Sequence, residues 1–392
     1  MEDVLLQVRS NPVSDKPKWQ DWLRLSLTPH IGLQTQHRLV TVFGSAAAVF
    51  EQSTLSLETQ VSEAQARALQ QFPPDWDDVL QRTKAWLNQS TAAGVEQAIW
   101  TWDHENYPRS LRELDDPPLL LFAQGQVHQP CWQAVAVVGS RNPTPQGKEN
   151  AKAFAAQLQL AGCCIVSGLA MGIDAAAHIG ALQHADAHRC ATVAVVGTGL
   201  DQVYPRHHHA LAQQVAQRGW LLSEFAPGTP PLPHHFPRRN RLIAGLSLGV
   251  LVVEAAMKSG SLITADLAAS QGKEVFAIPG SIHSVLSRGC HALLRQGAKL
   301  VESAADVMEE LPVFNALQSP MLSQQLHKPV TDPLQKTLLK AMGSDPVSLE
   351  MLLLRGGFSL EDALAGLQAL ADAGRVAHMP GGLYQQIANS TE

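Results

Sequence analysis

The chain has 392 residues, 45% of them hydrophobic and 16% charged, with a formal net charge of −6. That length suits two or three domains of ordinary globular composition. It excludes a protein that is basic all over, though not a local nucleic-acid site, and no apolar run reaches membrane-spanning length. The acidic start Met1-Glu2-Asp3 is followed by no long apolar core, so no signal peptide is expected and the chain reads as cytoplasmic. Five cysteines (Cys131, Cys163, Cys164, Cys190, Cys290) show no CxxC spacing and read as small core residues in a reducing compartment.

Residues 15–93 read as an N-terminal helical, SAM-like domain. Trp19, Trp22, Leu23 and Leu25 open an amphipathic pattern. Thr28 to Gly32 is a turn, and Phe43-Gly44-Ser45 ends one helix and caps the next. Such a turn can offer amides to a phosphate, but a plain helical hairpin explains it better. Pro73-Pro74 breaks the pattern, and a last helix is expected from Trp76 to Ala93.

From 94 to 311 the period changes. Short apolar runs at Val135–Val138, Cys164–Val166, Thr192–Val196, Trp220–Leu222, Val250–Val253 and Glu274–Ile278 suit strands buried on both faces. Helical stretches between them (147–161, 173–184, 204–218, 261–271) make this an α/β, extended Rossmann-like, doubly wound and mainly parallel sheet. One or two lead-in strands, such as Leu119–Phe122, are expected before it. Residues 312–332 carry three prolines without periodicity and read as a linker. Residues 333–388 read as three short helices and a hairpin, a winged-helix-like plan, with Ser359 and Asp362 capping the third helix. That helix has no Lys or Arg before Arg375, which favours protein contact or weak DNA contact over major-groove reading.

In a doubly wound sheet, ligands bind beyond the C-terminal strand ends. Four loops there carry phosphate-type chemistry: Gly139-Ser140-Arg141-Asn142, Ser167 to Asp174, His234 to Arg241, and Lys258 to Thr264. Small residues leave amides free at helix N-termini, and guanidinium forks suit phosphate. His234 to Arg241, with prolines on both sides of Phe236, reads as an extended loop feeding a helix.

Other motifs fail. Val195 to Gly199 begins like a dinucleotide fingerprint but lacks the third glycine, and Lys258-Ser259 lacks the Walker frame, so no cofactor is expected. Glu224 and Glu254 sit at strand ends and read as partners for the arginines rather than as an acid–base pair. His207-His208-His209 point three ways on a helix and read as solvated, not as metal ligands, and His234-His235 add at most a charge at low pH.

Taken in order, Val138-Gly139-Ser140-Arg141, Ser167 to Asp174, Tyr204-Pro205, His235 to Arg241, Ser259 to Ala265 and Ile278-Pro279-Gly280 resemble the DNA-processing protein A (DprA, or Smf) family. The resemblance spans about residues 100 to 310. It implies a cytosolic homodimer without catalysis that binds single-stranded DNA and loads the recombinase RecA in natural transformation. Carried onto this chain, it implies phosphate contacts at Ser140, Arg141, Ser167, Gly168, Arg239, Arg241, Gly260, Ser261 and Thr264, a base at Phe236, and backbone or base at Asn240. Many members carry Asn where His291 stands, and Leu293-Leu294 is a candidate dimer contact.

Two readings compete. A nucleoside-monophosphate phosphoribohydrolase would need a carboxylate on the glycine-rich loop and helix, where only Asp266 stands. A pure interaction scaffold would bind no ligand in its core.

Overall fold

The computed structural model describes residues 19–126, 131, 133–185, 189–311, 332–343, 345–379 and 381–387. Its centre is a nine-stranded sheet. The strands are β1 (Glu96–Thr101), β2 (Leu120–Gly125), β3 (Ala134–Val138), β4 (Cys164–Ser167), β5 (Thr192–Val195), β6 (Gly219–Ser223), β7 (Gly249–Val252), β8 (Glu274–Ala277) and β9 (Lys299–Leu300). They lie in the order β1-β2-β6-β5-β4-β3-β7-β8-β9. The two lead-in strands are antiparallel additions at one edge, and the seven others run parallel. From β3 the chain steps outward to β6, then returns to lay β7 along the free side of β3. The sheet's switch point therefore lies between β3 and β7, and the loops after those strands flank a crevice.

Alternation explains why the runs are continuously apolar. In β3, Val135 and Val137 face one apolar cluster with Phe154, Ile165, Leu251 and Phe276. Ala134, Ala136 and Val138 face the opposite cluster with Val166, Val250 and Leu242. Helices cover both faces, so neither set of side chains meets water. The N-terminal helices bury Trp22, Leu23, Leu39, Leu57 and Trp86 in a cluster shared with Phe122, Val196 and Leu221 of the sheet region. Gly44 ends the Leu33–Phe43 helix in the left-handed region at φ 90°, and the Ser45 side chain accepts from the Ala48 amide to start the next helix.

Several helices are shorter than the periodicity suggests. The Trp76–Leu87 helix stops well before Ala93, and 204–218 divides into a single tight turn at Arg206–His208 and a helix at His209–Arg218. Of the 312–332 stretch, only Asp332 lies within the described residues; its carboxylate accepts from the Leu334 amide and caps the Pro333–Met342 helix. Beyond it, the helices Pro333–Met342, Leu349–Gly356 and Leu360–Asp372 pack with a three-stranded sheet of β10 (Val347–Ser348), β11 (Val376–Met379) and β12 (Leu383–Gln386). Ser359 caps the third helix by accepting from the Asp362 amide.

One local expectation is overturned. The stretch with the three arginines is not an extended loop: His235–Leu246 is helical throughout. Pro237 falls in the first turn, where an amide hydrogen has no intrahelical partner to lose, so the proline is tolerated there.

Candidate nucleic-acid interface

Helical spacing divides the arginine stretch into two faces. Phe236, Arg239, Asn240 and Ile243 follow the i, i+3, i+4, i+7 rule and line one cleft of about 580 Å³. Arg238 and Arg241, three apart, face the other way, towards Glu224.

The cleft lies at the switch point. Gly139 and Arg141 come from the loop after β3, Lys258 and Ser259 from the loop after β7, and Gly260 and Ser261 from the start of the helix that follows it. Ala170 and Asp174 come from the segment after β4, Tyr204 from the segment after β5, and Thr264 from the Gly260–Ser270 helix. That helix points its N-terminus into the cleft, where orphan amides and the helix dipole favour an anion. The Ser259 hydroxyl accepts from the Ser261 amide and lies 2.6 Å from the Ser261 hydroxyl. Asn240 Nδ2 donates to the Gly260 carbonyl at 3.3 Å, tying the two helices together at the cleft.

The floor and the rim differ in burial. On the floor, Arg239 is 4% exposed. It donates to the carbonyls of Gly168 and Val195 and lies 3.9 Å from Asp174. Burial lowers its pKa to about 10, with Asp174 opposing the shift, so it stays cationic at neutral pH. Burial pushes the Asp174 carboxyl up, against the pull of Arg239. At the rim, Arg141 and Lys258 are exposed. Among the described residues, neither forms an ion pair. The Arg141 guanidinium lies over the Phe236 ring, 5.5 Å from its centroid, and the Tyr204 ring stands 5.7 Å away from Phe236 at 44°. The cleft thus offers two unpaired cations, a helix N-terminus and an aromatic pair.

The loops are locked by close approach. A Cβ on Gly168 would stand 2.1 Å from the Arg239 guanidinium, so only glycine lets that arginine reach the floor. Gly172 adopts φ +82°, and its Cα faces the carbonyl of Ser140 with no space for a side chain. The loops after β3 and β4 are thereby pressed together.

Of the residues singled out from the sequence, Arg141, Phe236, Arg239, Asn240, Gly260, Ser261 and Thr264 converge on the cleft. Four do not line it. Ser167 is fully buried and donates to the Val137 carbonyl. Gly168 faces Arg239, and the Ser140 hydroxyl is taken by the Asn142 amide. Arg241 pairs with Glu224 and with both the carbonyl and carboxylate of Asp116. Burial drew it to a carboxylate that lies 2% exposed. Glu224 therefore holds arginines, as expected, but Glu254 does not. It accepts from the amide and hydroxyl of Thr144, at the cap of the Pro145–Leu160 helix.

The histidines also depart from expectation. His208 is half-buried with its ring against the Leu169 carbonyl, because the chain turns before the His209–Arg218 helix begins. His235 is buried, stacked on Phe225 at 4.1 Å, and burial holds its pKa down. Of the Leu293-Leu294 pair, Leu293 is 5% exposed and packs in the sheet core, whereas Leu294 is only partly buried. Lys258 and Tyr204 were missed as site residues. Their signals were a lone cation in a strand-end loop and an aromatic residue in a quoted motif, but neither reveals proximity to Phe236.

A mainly parallel α/β sheet with a cleft at its switch point defines a Rossmann-type protein. Comparison with known proteins narrows the class. Residues 98–312 match the DNA recombination-mediator protein A family, and residues 323–382 match the DprA winged helix domain. The chain is 36% identical over 375 residues to protein Smf of Escherichia coli, covering 92% of this chain and 94% of that one. It is 49% identical over 204 residues to DNA processing protein DprA of Streptococcus pneumoniae, covering 52% and 71%. The X-ray structure of S. pneumoniae DprA superposes with a TM-score of 0.63 at 36% identity, over 74% of this chain and 98% of that one. The chain belongs to the DprA/Smf family. Among the described residues, no helix is long and apolar enough to cross a membrane.

Proposed function

We propose that the cleft binds single-stranded DNA, and that the chain acts without catalysis as a cytoplasmic, homodimeric recombination mediator that loads RecA onto incoming DNA in natural transformation. The observation that carries this reading is the convergence of Arg141, Phe236, Arg239 and Ser261 on one cleft. Arg141 and the helix N-terminus supply contacts to phosphate, which read no sequence. Phe236 supplies a face for a base, which only an unpaired strand can present. Arg239 sets the floor and its charge, with Nη1 donating to the Gly168 and Val195 carbonyls and Nη2 3.9 Å from Asp174.

The division into 15–93, 94–311, 312–332 and 333–388 belongs to the same reading. The Leu360–Asp372 helix carries Glu361, Asp362 and Asp372 and no basic residue, which favours a protein partner for the winged helix over a DNA groove.

The phosphoribohydrolase alternative is weaker. Asp266 is exposed and does not line the cleft. Among the described residues, Asp174 is the one carboxylate that does, and it is tied to Arg239. The direct test is a gel shift with matched single- and double-stranded oligonucleotides, followed by RecA filament assembly on strands coated with a single-strand-binding protein. Tighter binding to the single strand and faster RecA assembly are expected. Equal binding to both DNA forms, or release of free base from nucleotides, counts against the proposal.

A further inference from the structure

Three cysteines far apart in sequence meet at the edge of the sheet opposite the cleft. Cys131 lies three residues ahead of β3, Cys164 is the first residue of β4, and Cys190 lies two residues ahead of β5. Those three strands are neighbours. The three sulfurs lie within 4.8 Å of one another, and Cys164 Sγ is 3.7 Å from Cys190 Sγ.

A buried cysteine is ordinarily a small apolar side chain. Cys290 fits that description: its sulfur stands apart from the three, against the carbonyls of Val252 and Val253. The adjacency of β3, β4 and β5 brings the three sulfurs together, and Cys164 and Cys190 stand within thiol hydrogen-bond reach. Neighbouring strands are about 4.8 Å apart, so thiols merely standing side by side would sit at about that distance. The Cys164–Cys190 pair is closer than this. Tetrahedral zinc, with Zn–S of about 2.3 Å, holds its sulfurs about 3.8 Å apart.

We infer that Cys131, Cys164 and Cys190 form a zinc(II) site. Soft thiolates select zinc over magnesium or calcium. Binding replaces three S–H protons with the metal, releasing three protons and leaving one coordination position for water. Cys164 and Cys190 are buried, whereas Cys131 is half-buried and gives the route by which metal and water enter. The site clamps the starts of three adjacent strands and takes no part in the cleft, which opens beyond their other ends.

The test uses the full chain, purified with reductant and without chelator. Metal analysis is expected to find one zinc per chain. Cobalt(II) added to metal-free protein is expected to give thiolate-to-metal charge-transfer absorption at one equivalent, abolished by zinc. Cys131→Ser, the least buried of the three positions, is expected to weaken cobalt binding at least tenfold. A second measurement needs no variant: zinc is expected to slow alkylation of Cys131 in the wild type, read by peptide mass spectrometry. Cobalt spectra without thiolate bands, alkylation indifferent to zinc, or uptake of copper(I) with exclusion of zinc would each overturn the assignment. So would a Cys164–Cys190 disulfide in metal-free protein that persists under reductant.

Discussion

The guanidinium of Arg141 lies over the face of Phe236, from a loop nearly a hundred residues upstream. The ring is flanked by a cation on one side and by Tyr204 on another, so it is held in place yet open to the cleft. If a base stacks there, Phe236→Ala is expected to cost about 1–3 kcal/mol in single-strand affinity, while Phe236→Tyr is expected to retain most of it. Fluorescence anisotropy with a labelled oligonucleotide reads both. Equal loss in the two variants would mean the ring serves packing and not stacking.

Arg141 and Lys258 are expected to act on phosphate. Each phosphate neutralised contributes about 0.7 to the slope of log affinity against log salt for a single strand. Arg141→Ala and Lys258→Ala should each flatten that slope by about this amount, across sequences alike. A salt titration in which both variants weaken binding at an unchanged slope would remove them from the phosphate path.

Arg241 was expected to touch DNA, but its place beside Glu224 predicts a stability effect. Arg241→Ala leaves the buried Glu224 carboxylate paired only with the half-exposed Arg238, so the loss should fall below the about 3–5 kcal/mol of a fully broken buried pair. Urea unfolding is expected to register that loss. Among molecules that remain folded, the salt slope of DNA binding should match the wild type. A flattened slope with unchanged stability would return Arg241 to the binding surface.

His178 gives the fold an acid limit. Its ring is fully buried, bonded to Thr192 at 2.7 Å, and burial, with Arg239 and His208 adding, holds its pKa at about 3. The unfolded chain takes up that proton near the ordinary value of about 6.5, so between the two values the unfolded state binds more protons. This residue's contribution is therefore intact above about pH 6.5 and is lost as pH falls, at up to about 1.4 kcal/mol per unit. His178→Asn should flatten the fall in urea midpoint between about pH 6 and pH 4.5, where that slope operates. Parallel pH profiles for the two proteins would contradict the assignment.

The sequence by itself determined the order of the elements, because apolar runs of four or five residues and helical periods are local signals. It also placed four phosphate-type loops at one edge of the sheet, since in a parallel sheet every strand-to-helix loop leaves from the same side. Only the tertiary structure decided which side chains meet. Arg238, Arg239 and Arg241 are equivalent as text. Once the stretch is a helix, its 100° step sends Arg239 to the cleft and Arg238 and Arg241 to Glu224. Cys131, Cys164 and Cys190 have no spacing that betrays them, because strand adjacency is fixed by the sheet's winding and not by distance along the chain. Contacts within an element follow from its period, whereas contacts between elements follow from how the sheet is wound.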